Sequence, residues 1–370
     1  MKYLFILPAL SDSYTRKRVT MINKLDVKCT VLGFEREHYE ASPWDLDTTS
    51  LGRLTHARLI KRIPVMIQSI FKIRKEVESH DVLYCFNLDI LFIGWLSTIF
   101  KRNNIKIVYD LADIHKILGG QGIFPSLFRT IERFLLERTD LVVVASPAYI
   151  DGYFRKEQNA SNKFFPIENK MLPADKSSKI EKKSDDSPKG GVLRIGYFGM
   201  LRCESSLKFL LQLLKKNKYD FELHLAGIFL LTESYKPYFE ALDNAKYSGS
   251  FIYPDDLTAL YNKVDIIWAA HIHGKTNTKW AISNRFYQGC FYKKPLITQK
   301  DTQDSKRVES YNIGTTLDLN DFDDSEQILK SINKEKMDTW IENMRRLPKK
   351  VHTYSGEHTK LVEMIKSLPK

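Results

Sequence analysis

Short apolar runs alternate with longer helix-period segments along most of the chain, and nothing else in the sequence constrains its fold as tightly. Tyr3–Leu7, Cys29–Leu32, Val82–Cys85, Ile105–Tyr109 and Leu141–Val144 read as strands bounded by polar residues. Leu193–Phe198, Phe221–Leu225, Ile266–Ala269 and Pro295–Thr298 repeat the pattern in the second half. Runs that are apolar throughout suit strands buried on both faces, and helices between successive strands make the sheets parallel. The expected fold class is α/β, with two Rossmann-like, doubly wound domains facing each other across a central cleft that is the natural ligand site.

Between the halves lies Lys176–Gly191, KSSKIEKKSDDSPKGG, which offers almost nothing to bury and reads as a linker. The expected organisation is a first domain over 1–175, the linker over 176–191, a second domain over 192–354 and a terminal helix over 355–370. Leu361, Met364, Ile365 and Leu368 give that helix its period, which is consistent with a return to the first domain. With 370 residues, 43% of them hydrophobic, the chain has material for two cores. No apolar run reaches the roughly 18 to 20 residues a membrane-spanning helix needs. Met1–Pro8 superficially resembles a secretion leader, but it is strand-length and no small-x-small site follows, so it reads as a buried strand. Cys29, Cys85, Cys203 and Cys290 are far apart and form no C-x-x-C, which argues against a metal knuckle or disulfide framework and fits a reducing cytoplasm.

Charge narrows the partners. Lys and Arg number 57 against 45 Asp and Glu, a net +12, so the surface attracts anions: nucleic acid, phosphorylated ligands or an anionic membrane. Between Leu51 and Lys75 stand seven bases, Arg53, Arg58, Lys61, Arg62, Lys72, Arg74 and Lys75, and no acid. Met66, Ile70, Ile73 and Val77 recur there at helical spacing, with Pro64 starting or kinking the helix. A basic amphipathic helix of this kind lies on an anionic membrane surface, although a helix packed on its own sheet has the same spacing. Nucleic acid is not the expected partner, because no binding module is present and the bases sit beside aliphatic residues.

Three segments carry candidate chemistry. Leu193–Phe198 ends at Gly199 and leads through Arg202 into a helix with a stripe of Leu207, Leu210, Leu211 and Leu214. Gly199 lets the backbone approach a ligand, Arg202 offers a fork of donors to diphosphate oxygens, and Ser205 or Ser206 can cap the helix. A tight turn with a solvated arginine explains the same residues. Further on, Asn284, Arg285 and Gln288 share a helix face, with Phe286, Tyr287 and Phe291 available for packing. In the first half Asp110, Asp113 and His115 follow a strand, at the edge where open α/β sheets bind ligands, and one of them could accept a proton. A helix cap and a surface histidine are the plainer account. His271 and His273 have no third partner of metal spacing and read as loop residues, and no D-x-D ends a strand, so no metal is expected.

The segment Asn284-Arg285, two aromatics, Gln288, a helical stretch and Lys294-Pro295-Leu296-Ile297 resembles the donor-binding helix and following strand of bacterial GT-B glycosyltransferases of surface-polysaccharide pathways, such as those of capsule, O-antigen or exopolysaccharide. Tyr247-Ser248-Gly249 and Asp255 through Trp268 resemble the segment before it, and Gly196–Arg202 resembles the family's first phosphate loop. The sequence departs from the family at Gln288 and Trp280, where acids are common. The resemblance implies a metal-independent hexosyltransferase that needs no cofactor. It would be cytoplasmic and peripheral at the inner face of the cell membrane, moving sugar from a nucleoside diphosphate sugar to a lipid-linked saccharide acceptor. Gly199, Arg202, Asn284, Arg285 and Gln288 would bind the donor. Asp113 would be the acceptor-side base, with Asp110 and His115 behind it. A nucleotide-sugar epimerase and a basic nucleic-acid-binding protein are the alternatives.

Overall fold

The strands that the apolar runs anticipate hold the centres of two parallel sheets, each in its own compact unit. A computed structural model describes residues 1–36, 43–54, 59–99, 104–115, 117–173, 191–272 and 277–369. The chain divides into a unit of Met1–Asn169 with Gly356–Lys370 and a unit of Lys170–Ser355. The boundary thus falls a few residues before the 175 expected from composition. All of the expected linker except Gly191 lies outside the described residues.

The first unit runs β1 (Lys2–Leu7), α1 (Ser13–Asn23), β2 (Lys28–Arg36), β3 (Thr48–Leu54), α2 (Leu59–Val77), β4 (Val82–Phe86), α3 (Asn87–Thr98), β5 (Lys106–Leu111), α4 (Ile123–Leu136), β6 (Leu141–Val144) and β7 (Phe164–Pro166). Its sheet order is β3-β2-β1-β4-β5-β6-β7, with every pairing parallel. Because β-α-β crossovers are right-handed, α2, α3 and α4, which lead toward β4, β5 and β6, share one face of the sheet, and α1 takes the other. The order reverses between β1 and β4.

The second unit runs β8 (Leu193–Met200), α5 (Glu204–Lys216), β9 (Phe221–Ile228), α6 (Lys236–Glu240), β10 (Ala245–Tyr247), α7 (Leu257–Tyr261), β11 (Ile266–Trp268), α8 (Asn277–Trp280), α9 (Asn284–Tyr292), β12 (Leu296–Gln299), α10 (Gln303–Tyr311), β13 (Gly314–Leu317), α11 (Phe322–Lys330) and α12 (Lys334–Arg346). Its sheet is β10-β9-β8-β11-β12-β13, again parallel, with the reversal between β8 and β11. Leu207, Leu210 and Leu214 of α5 are buried in one core with Leu223, Leu225, Ile266 and Trp268. Each such leucine contributes about 1.5–3 kcal/mol of burial. The chain ends in α13 (Glu357–Ser367), which belongs to the first unit and packs on α1. Lys106 donates to the Ile365 carbonyl of that helix at 3.0 Å.

Two expectations need correction. Leu51–Leu54, the start of the basic stretch, belongs to edge strand β3, and Arg53 extends from it. Arg58 and the side chain of Lys61 lie outside the described residues. On α2 the stripe read as lipid-facing is the inward one: Ile73 and Val77 are fully buried, and Met66 and Ile70 are half-buried. The outward face carries a second apolar stripe, Ile63, Ile67 and Phe71 at i, i+4 and i+8. Helical period reveals both stripes but does not say which one finds the core.

Candidate functional site

In a doubly wound sheet the crevice forms outside the strand ends where the order reverses, because the flanking helices diverge there. In the second unit that point lies between β8 and β11, and the candidate donor residues lie on the segments around it. Gly199, near the end of β8, has φ +110°, and a side chain built there would meet no atom within 4 Å. Its neighbour across the ladder is Gly227, where a Cβ would stand 1.8 Å from the Gly199 carbonyl oxygen. Only glycine at 227 lets β9 approach the loop so closely. Arg202 is exposed at the rim.

The cap of α5 differs from the expected one. Cys203, not Ser205 or Ser206, is the N-cap, its sulfur accepting from Ser206 N. The Ser206 hydroxyl instead donates to the Ala270 carbonyl at 2.7 Å, and Ile272 N donates to Cys203 Sγ at 3.2 Å. These bonds fasten the start of α5 to the exit of β11. His271 accompanies that exit, with Nδ1 2.9 Å from the Ala269 carbonyl oxygen, and His273 lies outside the described residues.

Helix α9 begins at Ser283, whose side chain caps Phe286 N. Its first turn is held by a residue that sequence reasoning missed: buried Asp304 accepts from Ser283 N with both oxygens, at 3.0 and 3.2 Å. Burial raises the Asp304 pKa above the ordinary range. Asn284 is exposed and Arg285 half-buried. The Arg285 guanidinium carbon lies 4.8 Å from the ring centroid of Tyr197 on β8, a cation–π contact that joins α9 to the strand. Burial raises the Tyr197 phenol pKa, while the Arg285 charge opposes that shift. Gln288 is buried, and its Oε1 accepts from the Tyr261 hydroxyl at 2.9 Å. The three polar residues of α9 therefore lie at graded depth. Of the aromatics, Phe286 and Tyr287 are buried in the core and Phe291 is partly buried against it.

In the first unit, Asp110 and Asp113 occupy opposite environments. Asp110 is 0% exposed and accepts from Arg18 Nε at 2.8 Å, Tyr84 at 2.7 Å and Tyr14. Arg18 also donates to the Ile167 carbonyl and contacts His358 of α13 at 3.1 Å. Asp110 is thus a buried counter-ion that ties α1, β4 and β5 together, which corrects its place among the candidate bases. Asp113 is exposed, with Oδ1 3.5 Å from the Tyr149 hydroxyl, and Tyr149 has its phenol pKa raised by burial and then by the Asp113 charge. His115 is exposed, and its Nδ1 accepts from Ile117 N at 3.3 Å. Among the described residues, no three His, Cys, Asp or Glu side chains gather to hold a metal ion.

No protein-family model matches the chain. It is similar to the succinoglycan biosynthesis protein ExoL of Rhizobium meliloti, with 25% identity over 348 residues that span 89% of this chain and 84% of that protein. Among solved structures, it resembles sucrose-phosphate synthase of Thermosynechococcus elongatus (TM-score 0.75, 11% identity, 99% and 98% of the two chains). It also resembles Anabaena HepE in complex with UDP (0.73, 14%, 100% of both). WaaG, a glycosyltransferase of lipopolysaccharide biosynthesis, matches over 99% and 100% with a TM-score of 0.68 and 12% identity. The fold is the GT-B architecture of glycosyltransferases, built from two Rossmann-like units.

Proposed function

We propose that the chain transfers a hexosyl group from a nucleoside diphosphate sugar to a lipid-linked saccharide acceptor, without a metal ion or other cofactor, in the cytoplasm at the inner face of the cell membrane. At the level of class, the chain is a glycosyltransferase of bacterial polysaccharide biosynthesis. The observation that carries the finer reading is Arg285: its Nη1 is buried with no hydrogen-bond partner among the described residues, at the switch point of a Rossmann-like sheet. Burying a guanidinium donor unmet is costly, and a diphosphate oxygen is a partner of the right charge and geometry. Similarity to HepE, solved with UDP and with UDP-glucose, supports a nucleotide sugar as the donor.

In this reading Arg202 and Arg285 neutralise the leaving diphosphate, Gly199 admits it to the backbone, and Asn284 and Gln288 orient the nucleotide or the sugar. Asp113 accepts the proton of the acceptor hydroxyl. The basic stretch Leu51–Lys75 contacts anionic lipid. No observation favours an epimerase or a nucleic-acid-binding protein. Thermal stabilisation across a panel of nucleotide sugars tests the donor assignment, since a ligand that binds only the folded chain raises the melting temperature by mass action. A flat response across the panel rejects it.

A further inference from the structure

The segment that follows Asp113 and His115 ends in Gly119-Gly120-Gln121-Gly122, immediately before α4. Glycine gives a loop no side chain to hold it and the largest backbone entropy to lose, so order in this stretch has to come from outside it. Arg129, in the second turn of α4, supplies that order. Its Nη1 donates to the Leu118 carbonyl at 2.9 Å and to the Gly120 carbonyl at 2.8 Å. Leu118 N in turn donates to the His115 carbonyl at 2.8 Å, and the side chains of Ile114 and Leu118 are buried. One guanidinium nitrogen thus commits both its hydrogens to the far end of the loop.

Helix α4 is itself tied to the strand from which the loop departs. Buried Glu132, three residues beyond Arg129, accepts from the Tyr109 hydroxyl of β5 at 2.9 Å, and also from Tyr153 and Gln158. Arg133 donates to the Gln158 carbonyl at 3.1 Å. At the near end of the loop, the hydroxyl of buried Tyr149 lies 3.4 Å from the Ala112 carbonyl oxygen and 3.5 Å from Asp113 Oδ1. Those two contacts are long for hydrogen bonds, whereas both bonds from Arg129 have ordinary length.

We propose that Arg129 is a positioning residue for the acceptor side of the reaction: by clamping the glycine-rich end of the 113–122 loop to α4, it sets where Asp113 and His115 stand. This rests on the reading of that loop as the acceptor-side segment and adds the residue that holds it. Arg129 acts through the loop backbone and takes no proton. Arginine suits the task because its planar, permanently charged fork holds two carbonyls in one fixed geometry.

Arg129→Met tests the proposal, since it keeps an apolar stem and removes the donors. Hydrogen exchange read by mass spectrometry should rise at least roughly tenfold in peptides covering 113–122 and stay at the wild-type level in β8 and β9. With UDP-glucose as donor probe and octyl glucoside as acceptor probe, turnover should fall roughly tenfold to 100-fold, the scale of a misplaced reacting group. Thermal stabilisation by UDP, whose proposed site is in the second unit, should be unchanged. Arg129→Lys, which keeps a charged donor for the carbonyls, should recover much of the turnover and the protection. Arg129→Gln should show the same losses to a smaller degree, and it carries the same readouts if the methionine variant unfolds. Added to Asp113→Asn, Arg129→Met should lower turnover no further, because both changes act on one step. Wild-type exchange in Arg129→Met overturns the clamp. Raised exchange with unchanged turnover and acceptor Michaelis constant overturns the positioning role, and so do losses that multiply in the double variant. If Asp113→Asn alone keeps near-normal turnover, the base assignment falls, and a raised acceptor constant in Arg129→Met still sustains the clamp as what holds this loop for the acceptor.

Discussion

Arg285 and Tyr197 meet across the junction of α9 and β8, the guanidinium carbon 4.8 Å from the ring centroid, with Arg285 Nη1 buried and unpartnered among the described residues. The contact holds the guanidinium against the ring while leaving Nη1 unmatched among the described residues. If that donor serves a diphosphate, Arg285→Ala should weaken nucleoside diphosphate binding by about 1.5–3 kcal/mol, the range for charged hydrogen bonds. Arg202→Ala should fall near the low end because the residue is exposed. Tyr197→Phe keeps the ring and should bind almost as wild type does. Titration calorimetry with a panel of nucleoside diphosphates, with and without EDTA, checks all three. Wild-type affinity in the Arg202, Arg285 double variant, or its loss in EDTA alone, would remove the arginine assignment.

Asp304 supports that arginine from beneath. Because both its oxygens accept from Ser283 N, Asp304→Ala would leave a backbone donor unmet at the start of α9. The expected loss of stability is about 1–3 kcal/mol. Donor affinity should fall with it, whereas Asp304→Asn, which keeps one acceptor oxygen, should restore much of both. Denaturant melts paired with donor titrations measure the two effects. An unchanged midpoint in Asp304→Ala would show that Ser283 N has another partner.

The central strands were legible because β1, β4, β5, β8 and β11 each carry a mostly apolar, buried run, as strands covered on both faces do. The edge and near-edge strands β3, β7, β10 and β13 were not: they are short or carry half-exposed polar residues such as those of TTSLGRL, a pattern loops share. Gly199 and Arg202 were legible from a strand, a glycine and a helix start in sequence. Asp304 was hidden because its partner, the amide of Ser283, is distant in sequence and has no side-chain signature. Asp110 and Asp113 both stood as candidate bases on one strand exit, with Asp113 ahead of Asp110. Residues from α1, β4 and α13 separate them, and no local pattern carries that information.

His358 links the C-terminal helix to the same network and makes its docking pH-dependent. Burial, then the charges of Arg18 and Lys17, lowers its pKa to about 2, against an ordinary imidazole value of about 6.5. The unfolded chain therefore takes up the proton first as pH falls. Stability from neutral His358 is complete above about 6.5 and is lost progressively toward the folded value, at about 1.4 kcal/mol per pH unit. Between pH 7.5 and 5.5 the wild type should lose about that much relative to His358→Gln, measured by urea denaturation. Parallel losses in the two proteins would show that His358 does not titrate in this way.

The contrast between Asp110 and Asp113 gives the sharpest test of the chemistry. Asp110→Ala would leave Arg18 as an uncompensated buried charge, so the expected cost is about 3–5 kcal/mol of stability, with activity lost through unfolding. Asp113 is exposed, and its neighbour Tyr149 stands at the outer limit of hydrogen-bond distance, so Asp113→Asn should leave the fold and donor affinity intact. If Asp113 takes the acceptor proton, turnover should fall by roughly 100-fold or more, the usual scale for losing general-base catalysis. His115→Ala, beside it and also exposed, should change turnover far less. A transferase can instead pass that proton to the departing diphosphate, and Asp113 would then only position the acceptor. That case has a distinct signature: Asp113→Asn would keep near-normal turnover with a raised acceptor Michaelis constant. Measuring turnover and the acceptor constant separately therefore decides whether Asp113 moves the proton or holds the hydroxyl that loses it.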